Sequence, residues 1–124
     1  MIDFKNKMLF KLKQEKTESG HTHVGNLLTS EEGVIASFVS MRDRVIFTNK
    51  RIICINVQGL TGTKIDYTSI PYSKIQMYSV ETSGTIDLDS EIDILVNGLG
   101  KIRFELTAGS DVVAISRVIS EYVL

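Results

Sequence analysis

Residues 42–91 read RDRVIFTNKRIICINVQGLTGTKIDYTSIPYSKIQMYSVETSGTIDLDSE, and their pattern decides the fold. Two β-rich runs, 44–48 and 50–57, meet at a turn too short for anything but a hairpin. Asn49 and Lys50 form its tip, where Asn tolerates a positive φ better than other side-chain-bearing residues. The run 51–57 is almost continuously apolar, which predicts a central strand covered on both faces. Gly59 and Gly62 punctuate a loop over 58–63. Ile65, Tyr67 and Ser69 then alternate as a strand, stopped by Pro71, which cannot donate to a ladder. Residues 74–82 form another alternating strand, broken at Ser83-Gly84.

The flanks extend this meander. Val34, Ala36 and Phe38 share one face of a strand, and residues 40–43 turn the chain. Glu91, Asp93, Leu95 and Asn97 interleave with Ile92, Ile94 and Val96. After the turn Asn97-Gly98-Leu99-Gly100, Lys101, Arg103 and Glu105 interleave with Ile102, Phe104 and Leu106. That is a hairpin with one apolar and one wet face. Past Gly109 the period becomes helical: Ser110 or Asp111 caps, and Val112, Ile115, Ile119 and Tyr122 share a face. At the other end, Phe4, Met8 and Leu12 recur every fourth residue and predict a basic amphipathic helix over 1–16. Its lysines 5, 7, 11, 13 and 16 oppose only Asp3 and Glu15. Residues 17–22 read as a polar loop. In 26–32, Thr29 or Ser30 is placed to cap amides ahead of Glu31 and Glu32.

Composition narrows the class. A chain of 124 residues with 43% hydrophobic and 23% charged content is expected to be one globular domain. A formal net charge of −1 argues against nucleic acid as a partner. The single cysteine, Cys54, lies within Ile52-Ile53-Cys54-Ile55, reads as a buried side chain, and rules out an intrachain disulfide. No apolar run approaches the ~20 residues that cross a bilayer, and no secretory signal core is present. A cytoplasmic protein is the expectation.

About seven strands in meander order followed by one helix cannot stay a flat sheet; they curl into a barrel or two packed sheets, with the helix closing an open end. This predicts a mainly β fold: a pleckstrin-homology (PH)-like barrel of about seven antiparallel strands in two near-orthogonal sheets, capped by a C-terminal helix. Residues 1–27 are expected to be a helical extension and loop, and 28–124 the PH-like domain. The segments RDRVIFTNKRIICI, QGLTGTK, YTSIPYSKI, SVETSGTIDLDSEI and NGLGKIRFEL resemble the bacterial PH-domain family, formerly a domain of unknown function. The resemblance implies the PH-like fold and assembly into ring-shaped homo-oligomers, with no enzymatic activity and no agreed ligand. Relatives of the fold bind phosphoinositides through a basic first hairpin loop. Here that loop, Ser40-Met41-Arg42-Asp43-Arg44, interrupts two arginines with an acid, so lipid binding does not carry over.

Few constellations could carry chemistry. Gly59-Leu60-Thr61-Gly62 matches an RNA-clamping GxxG, but that reader needs helices where strands flank this one. His21 and His23 lack further ligands for a metal set. Asp87, Asp89, Glu91 and Asp93 fall at every second position, where like charges repel. A divalent cation would relieve them, but pairing with Arg42, Arg44, Lys50 and Arg51, within the sheet or across a subunit interface, is the favoured reading. No nucleophile finds a base, so no catalytic residue, cofactor or metal is assigned. The function expected is a non-catalytic scaffold or binding domain that self-assembles into a homo-oligomeric ring. The alternative is a peripheral membrane or peptide-binding adaptor using the basic N-terminal helix or an exposed sheet edge. The interface candidates are Arg42, Arg44, Lys50, Arg51, Asp87, Asp89 and Glu91.

Overall fold

The computed structural model of the chain describes residues 1–4, 9–41, 43–59, 64–82 and 89–124. Its elements run β1 Leu9–Glu15, α1 Thr17–Val24, a 3₁₀ turn Gly25–Leu27, β2 Val34–Val39, β3 Asp43–Thr48, β4 Arg51–Gln58 and β5 Lys64–Pro71. A second 3₁₀ turn, Tyr72–Lys74, leads to β6 Ile75–Glu81, β7 Ser90–Val96, β8 Gly100–Leu106 and α2 Val112–Val123. The strands form one eight-stranded sheet in the order β5-β4-β3-β2-β1-β8-β7-β6. Among the described residues β5 and β6 share no ladder, so the strands make an open eight-stranded sheet in place of the expected barrel of about seven strands in two near-orthogonal sheets. No helix among the described residues is long and apolar enough to cross a membrane.

The largest departure from expectation is β1. Residues 9–15 are a strand in the middle of the sheet, not part of a basic helix. One part of β1 runs parallel to β8, pairing Leu9 with Phe104 and Leu12 with Leu106; the other runs antiparallel to β2, pairing Lys13, Gln14 and Glu15 with Val39, Phe38 and Ser37. The change of partner falls at an irregularity where Lys11 takes a φ of 51°. Such a kink re-aims a strand between two neighbours that could not both pair with a straight one. The Phe4-Met8-Leu12 spacing imitates a helical stripe, yet Phe10 and Leu12 also alternate with Lys11 and Lys13. Leu12, with no exposed surface, shows that the period of two prevailed.

Residues 17–24, read as mostly loop, form α1, which packs on the outer face of β2–β4. Gly20 permits the contact: a Cβ there would stand 2.5 Å from Ser37 Oγ and 2.7 Å from Ser37 Cβ. Because Ser37 Cβ is fixed to the strand, relief must come from moving the helix. Gly20→Ala is expected to lose about 1–3 kcal/mol in urea unfolding, despite alanine's better helix propensity. A gain in stability would show that α1 rides free of β2.

Two cores result. Val24 of α1 covers Ile46, Ile53 and Ile55 on the outer face, while Phe38, Phe47, Ile52, Cys54, Ile92, Ile94 and Phe104 belong to the main core. Alternate residues of β4 thus enter different cores, which explains its unbroken apolar run. Cys54 is fully buried, and burial pushes its thiol far above the ordinary range, assisted by the Asp43 charge. It should resist a disulfide-exchange reagent in the native state and react once denaturant unfolds the chain; native reactivity at the unfolded rate would contradict this burial.

α2 begins as expected at Asp111, whose Oδ1 accepts from Ala114 N at 3.1 Å. Val112, Ile115 and Ile119 enter the main core. Tyr122 stacks on Tyr72 at 5.5 Å, and Tyr78 Oη and Ser120 Oγ share a hydrogen bond of 2.8 Å. The turn between β7 and β8 also follows expectation, with Leu99 N donating to Val96 O and Gly98 at φ 81°.

Candidate interaction surfaces

The outward residues of β6, β7 and β8 line up in rows because the register is antiparallel and regular there. Met77, Leu95 and Lys101 form one row; Ser79, Asp93 and Arg103 the next; Glu81, Glu91 and Glu105 the third. The third row would be unfavourable alone, since it sets three acids side by side. Arg103 relieves it, binding Asp93 through Nε at 2.8 Å and Nη2 at 2.9 Å and approaching Glu91 at 3.2 Å. Lys11 of β1 bridges Asp89 at 2.7 Å and Glu105 at 3.7 Å. These contacts hold the carboxyls of Asp89 and Asp93 below their ordinary range, in each case chiefly through the cation's hydrogen bond.

Within one subunit the described acids of the ladder meet cations other than Arg44, Lys50 and Arg51. Asp89 meets Lys11, and Glu91 and Asp93 meet Arg103. The reason is topological: β7 lies two strands from β1 on one side, whereas Arg44 and Arg51 belong to β3 and β4 on the other. Folding the hairpin about Asn97-Gly98 sets Asp93 opposite Arg103, so that pair was open to a register argument. Arg42 and Asp87 lie outside the described residues.

Arg44 forms a fork with Glu15, Nε to Oε2 at 2.7 Å and Nη2 to Oε1 at 3.1 Å. Ser37 Oγ also donates to Glu15, at 2.6 Å, and the carboxyl is held below its ordinary range, foremost by Arg44. His23 joins the group: its Nδ1 lies 2.9 Å from Ser19 O and its Nε2 3.0 Å from Arg44 Nη1. A carbonyl only accepts and a guanidinium only donates. The two bonds together therefore require the neutral Nδ1–H tautomer. The His23–Arg44 bond pins α1 to β3; among the described residues there is no group of three or more His, Cys, Asp or Glu that could hold an ion.

Arg51 is likewise committed. Its Nε and Nη2 bind Glu32 at 2.9 and 3.0 Å, and Nη2 also donates to Leu27 O. Thr48 Oγ1 adds a 2.7 Å bond to Glu32, and Thr29 N one of 3.0 Å. So Glu32 caps Thr29, the reverse of the donor expected in that turn. Asn49 also differs from expectation: among the described residues positive φ is taken by Lys11 and glycines alone, and Asn49 serves through its side chain, accepting from Gly33 N and donating to Glu31 O. The Lys50 ammonium makes no ion pair among the described residues.

Among the described residues two apolar depressions stand open. The first surrounds Met77, 64% exposed, with Tyr78, Ile94 and Leu95 lining a shallow depression of about 200 Å³. It adjoins the outer edge of β6, which has no strand partner among the described residues. The second lies on the outer face of β4 and β5 beside the end of α1. Val39, Ile55, Val57, Ile65 and Tyr67 line a depression of about 240 Å³, with Met41, His23 and Arg44 at its rim. The edge of β5 itself is partly occupied, since Ile2 N donates to Thr68 Oγ1 at 3.0 Å and the Met1 amine pairs with Asp66.

This arrangement has counterparts among known proteins. The chain is 43% identical over 82 residues to the uncharacterized protein YjqA of Bacillus subtilis (strain 168), a span of 66% of each chain and just under two thirds of that relative's length. A DUF1696-family protein with a pleckstrin-homology domain from Shewanella loihica PV-4 superposes with a TM-score of 0.80 at 34% identity, covering 93% of this chain and 99% of that one. A pleckstrin homology domain from Shewanella amazonensis SB2B gives 0.67 at 36% identity, over 89% and 90%. A PH-domain-containing protein from Exiguobacterium sibiricum 255-15, 19% identical, shares the fold with a TM-score of 0.70 over 91% of this chain and 62% of that one. The bacterial PH domain family matches residues 3–123, nearly the whole length. With strand order, terminal helix and family match in agreement, the chain belongs to the bacterial PH domain family.

Proposed function

We propose that the protein is a non-catalytic PH-like scaffold whose copies assemble head to tail into a homo-oligomeric ring. The observation that carries this reading is the position of the two open apolar surfaces. One lies at the β6 end of the sheet order and the other towards the β5 end. A two-fold dimer through either patch uses the same surface twice and leaves the other exposed; a head-to-tail contact uses both, and closes when its rotation allows. Covering the β6 edge in this way also hides the open side of a seven-residue strand whose only charge is the terminal Glu81.

The interface candidates divide accordingly. Asp89 and Glu91 lie on the first face and Arg44 at the rim of the second, while Arg51 is held by Glu32 and serves the fold. The basic helix over 1–16 that the membrane-adaptor reading would use is not formed at residues 9–15, which are a strand. A peptide adding to β6 would compete with assembly for the same edge. Electron microscopy of the purified protein is expected to show closed rings of one size. Isolated particles of single-subunit size, or open filaments, would refute the ring.

A further inference from the structure

Resting on the head-to-tail reading, we propose that Met77 of one copy docks in the β4–β5 depression of the next, with Glu81 set against Lys13. Met77 is the exposed apolar residue on the outer face of β6, and methionine adapts readily to an irregular apolar slot. The slot lined by Ile55, Val57, Ile65 and Tyr67, about 240 Å³, has room for one such side chain. The first face is acidic, and the second offers an exposed base. The β6–β8 face carries five acids, Glu81, Asp89, Glu91, Asp93 and Glu105, against three bases, Lys11, Lys101 and Arg103. Among the described residues Glu81 is in no ion pair, although its charge acts on Arg103 through space. On the receiving face Lys13 of β1 and Arg44 stand with Glu15, Asp43 lines the depression, and Lys13 is exposed and in no ion pair among the described residues.

The spacings also match. Met77 and Glu81 stand four residues apart on one strand, ~13 Å. On the receiving face, Ile55 pairs with Arg44, Arg44 with Val39 and Val39 with Lys13, so Ile55 and Lys13 are separated by three strand spacings, ~14 Å. A β6 strand laid across this row sets Met77 over Ile55 and Glu81 over Lys13. The occupant is thus a second copy of this chain.

Met77→Asp disables the first face and Tyr67→Asp the second, and both positions are exposed enough to leave the fold intact, as circular dichroism will verify. Each variant alone should require at least about tenfold more protein to assemble. Mixed one to one, they should form a heterodimer, because each retains the face the other lacks. Glu81→Lys and Lys13→Glu should each weaken assembly, and the double variant should restore it. Wild-type assembly with no heterodimer on mixing, or with no rescue by the charge exchange, overturns this pairing of faces while leaving self-assembly standing. A monomeric wild type overturns both.

Discussion

Replacing Glu32 with alanine is expected to cost about 3–5 kcal/mol at neutral pH, the usual penalty for removing one partner of a buried ion pair. The Glu32 side chain has no exposed surface and is bonded by Arg51, Thr48 and Thr29. Burial favours its neutral form. The hydrogen bonds from Arg51, Thr29 and Thr48 and the Arg51 charge outweigh burial and lower the carboxyl from 4.5 to about 2. The folded state therefore prefers the ionised form more strongly than the unfolded chain does. Its contribution, on the order of 3 kcal/mol, is present above pH ~4.5 and lost as the pH falls towards 2. Urea titrations should show the gap between wild type and Glu32→Ala narrowing between pH 5 and pH 2.5. A gap that stays constant over that window would mean that the carboxylate charge contributes nothing to the clasp.

Phe47→Ala should cost a similar amount for a different reason. Phe47 is fully buried and meets two other rings edge to face, Phe38 at 5.9 Å and Phe104 at 6.4 Å. These rings come from β3, β2 and β8, so the cluster ties the two halves of the sheet together across the core. Truncation removes the buried ring and leaves a cavity, at about 3–5 kcal/mol, whereas Phe47→Leu should lose less because more volume is kept. A double-mutant cycle between Phe47 and Phe104 should give a coupling of about 0.5–1.5 kcal/mol. Additive losses would show that the two rings do not support one another.

Local pattern revealed the parts of this fold whose partners are close in sequence. The hairpins around Asn49 and Asn97-Gly98, the stop at Pro71 and the cap at Asp111 each combine a turn or cap with a change of period. The two-sided burial of β4 followed from its unbroken apolar run. β1 was hidden because its ladder with β8 joins residues more than ninety positions apart, while its Phe4-Met8-Leu12 spacing satisfied a helical period by coincidence. The same distance obscured the ion pairs. Glu15–Arg44, Glu32–Arg51 and Lys11–Asp89 depend on which strands become neighbours, whereas Asp93–Arg103 depends only on one hairpin register. Of the candidate surface residues, sequence singled out the acid ladder and Arg44. The two apolar depressions escaped notice because Met77, Ile65 and Tyr67 occupy ordinary strand positions, and their exposure depends on where α1 ends and which edges remain unpaired.

The scaffold reading stands most directly on the mass of the particle in solution. Multi-angle light scattering during size-exclusion chromatography, at tens of micromolar protein, should return one species at a fixed integer multiple of 13.8 kDa greater than two, unchanged on moderate dilution. A single species of 13.8 kDa across that range would contradict the account.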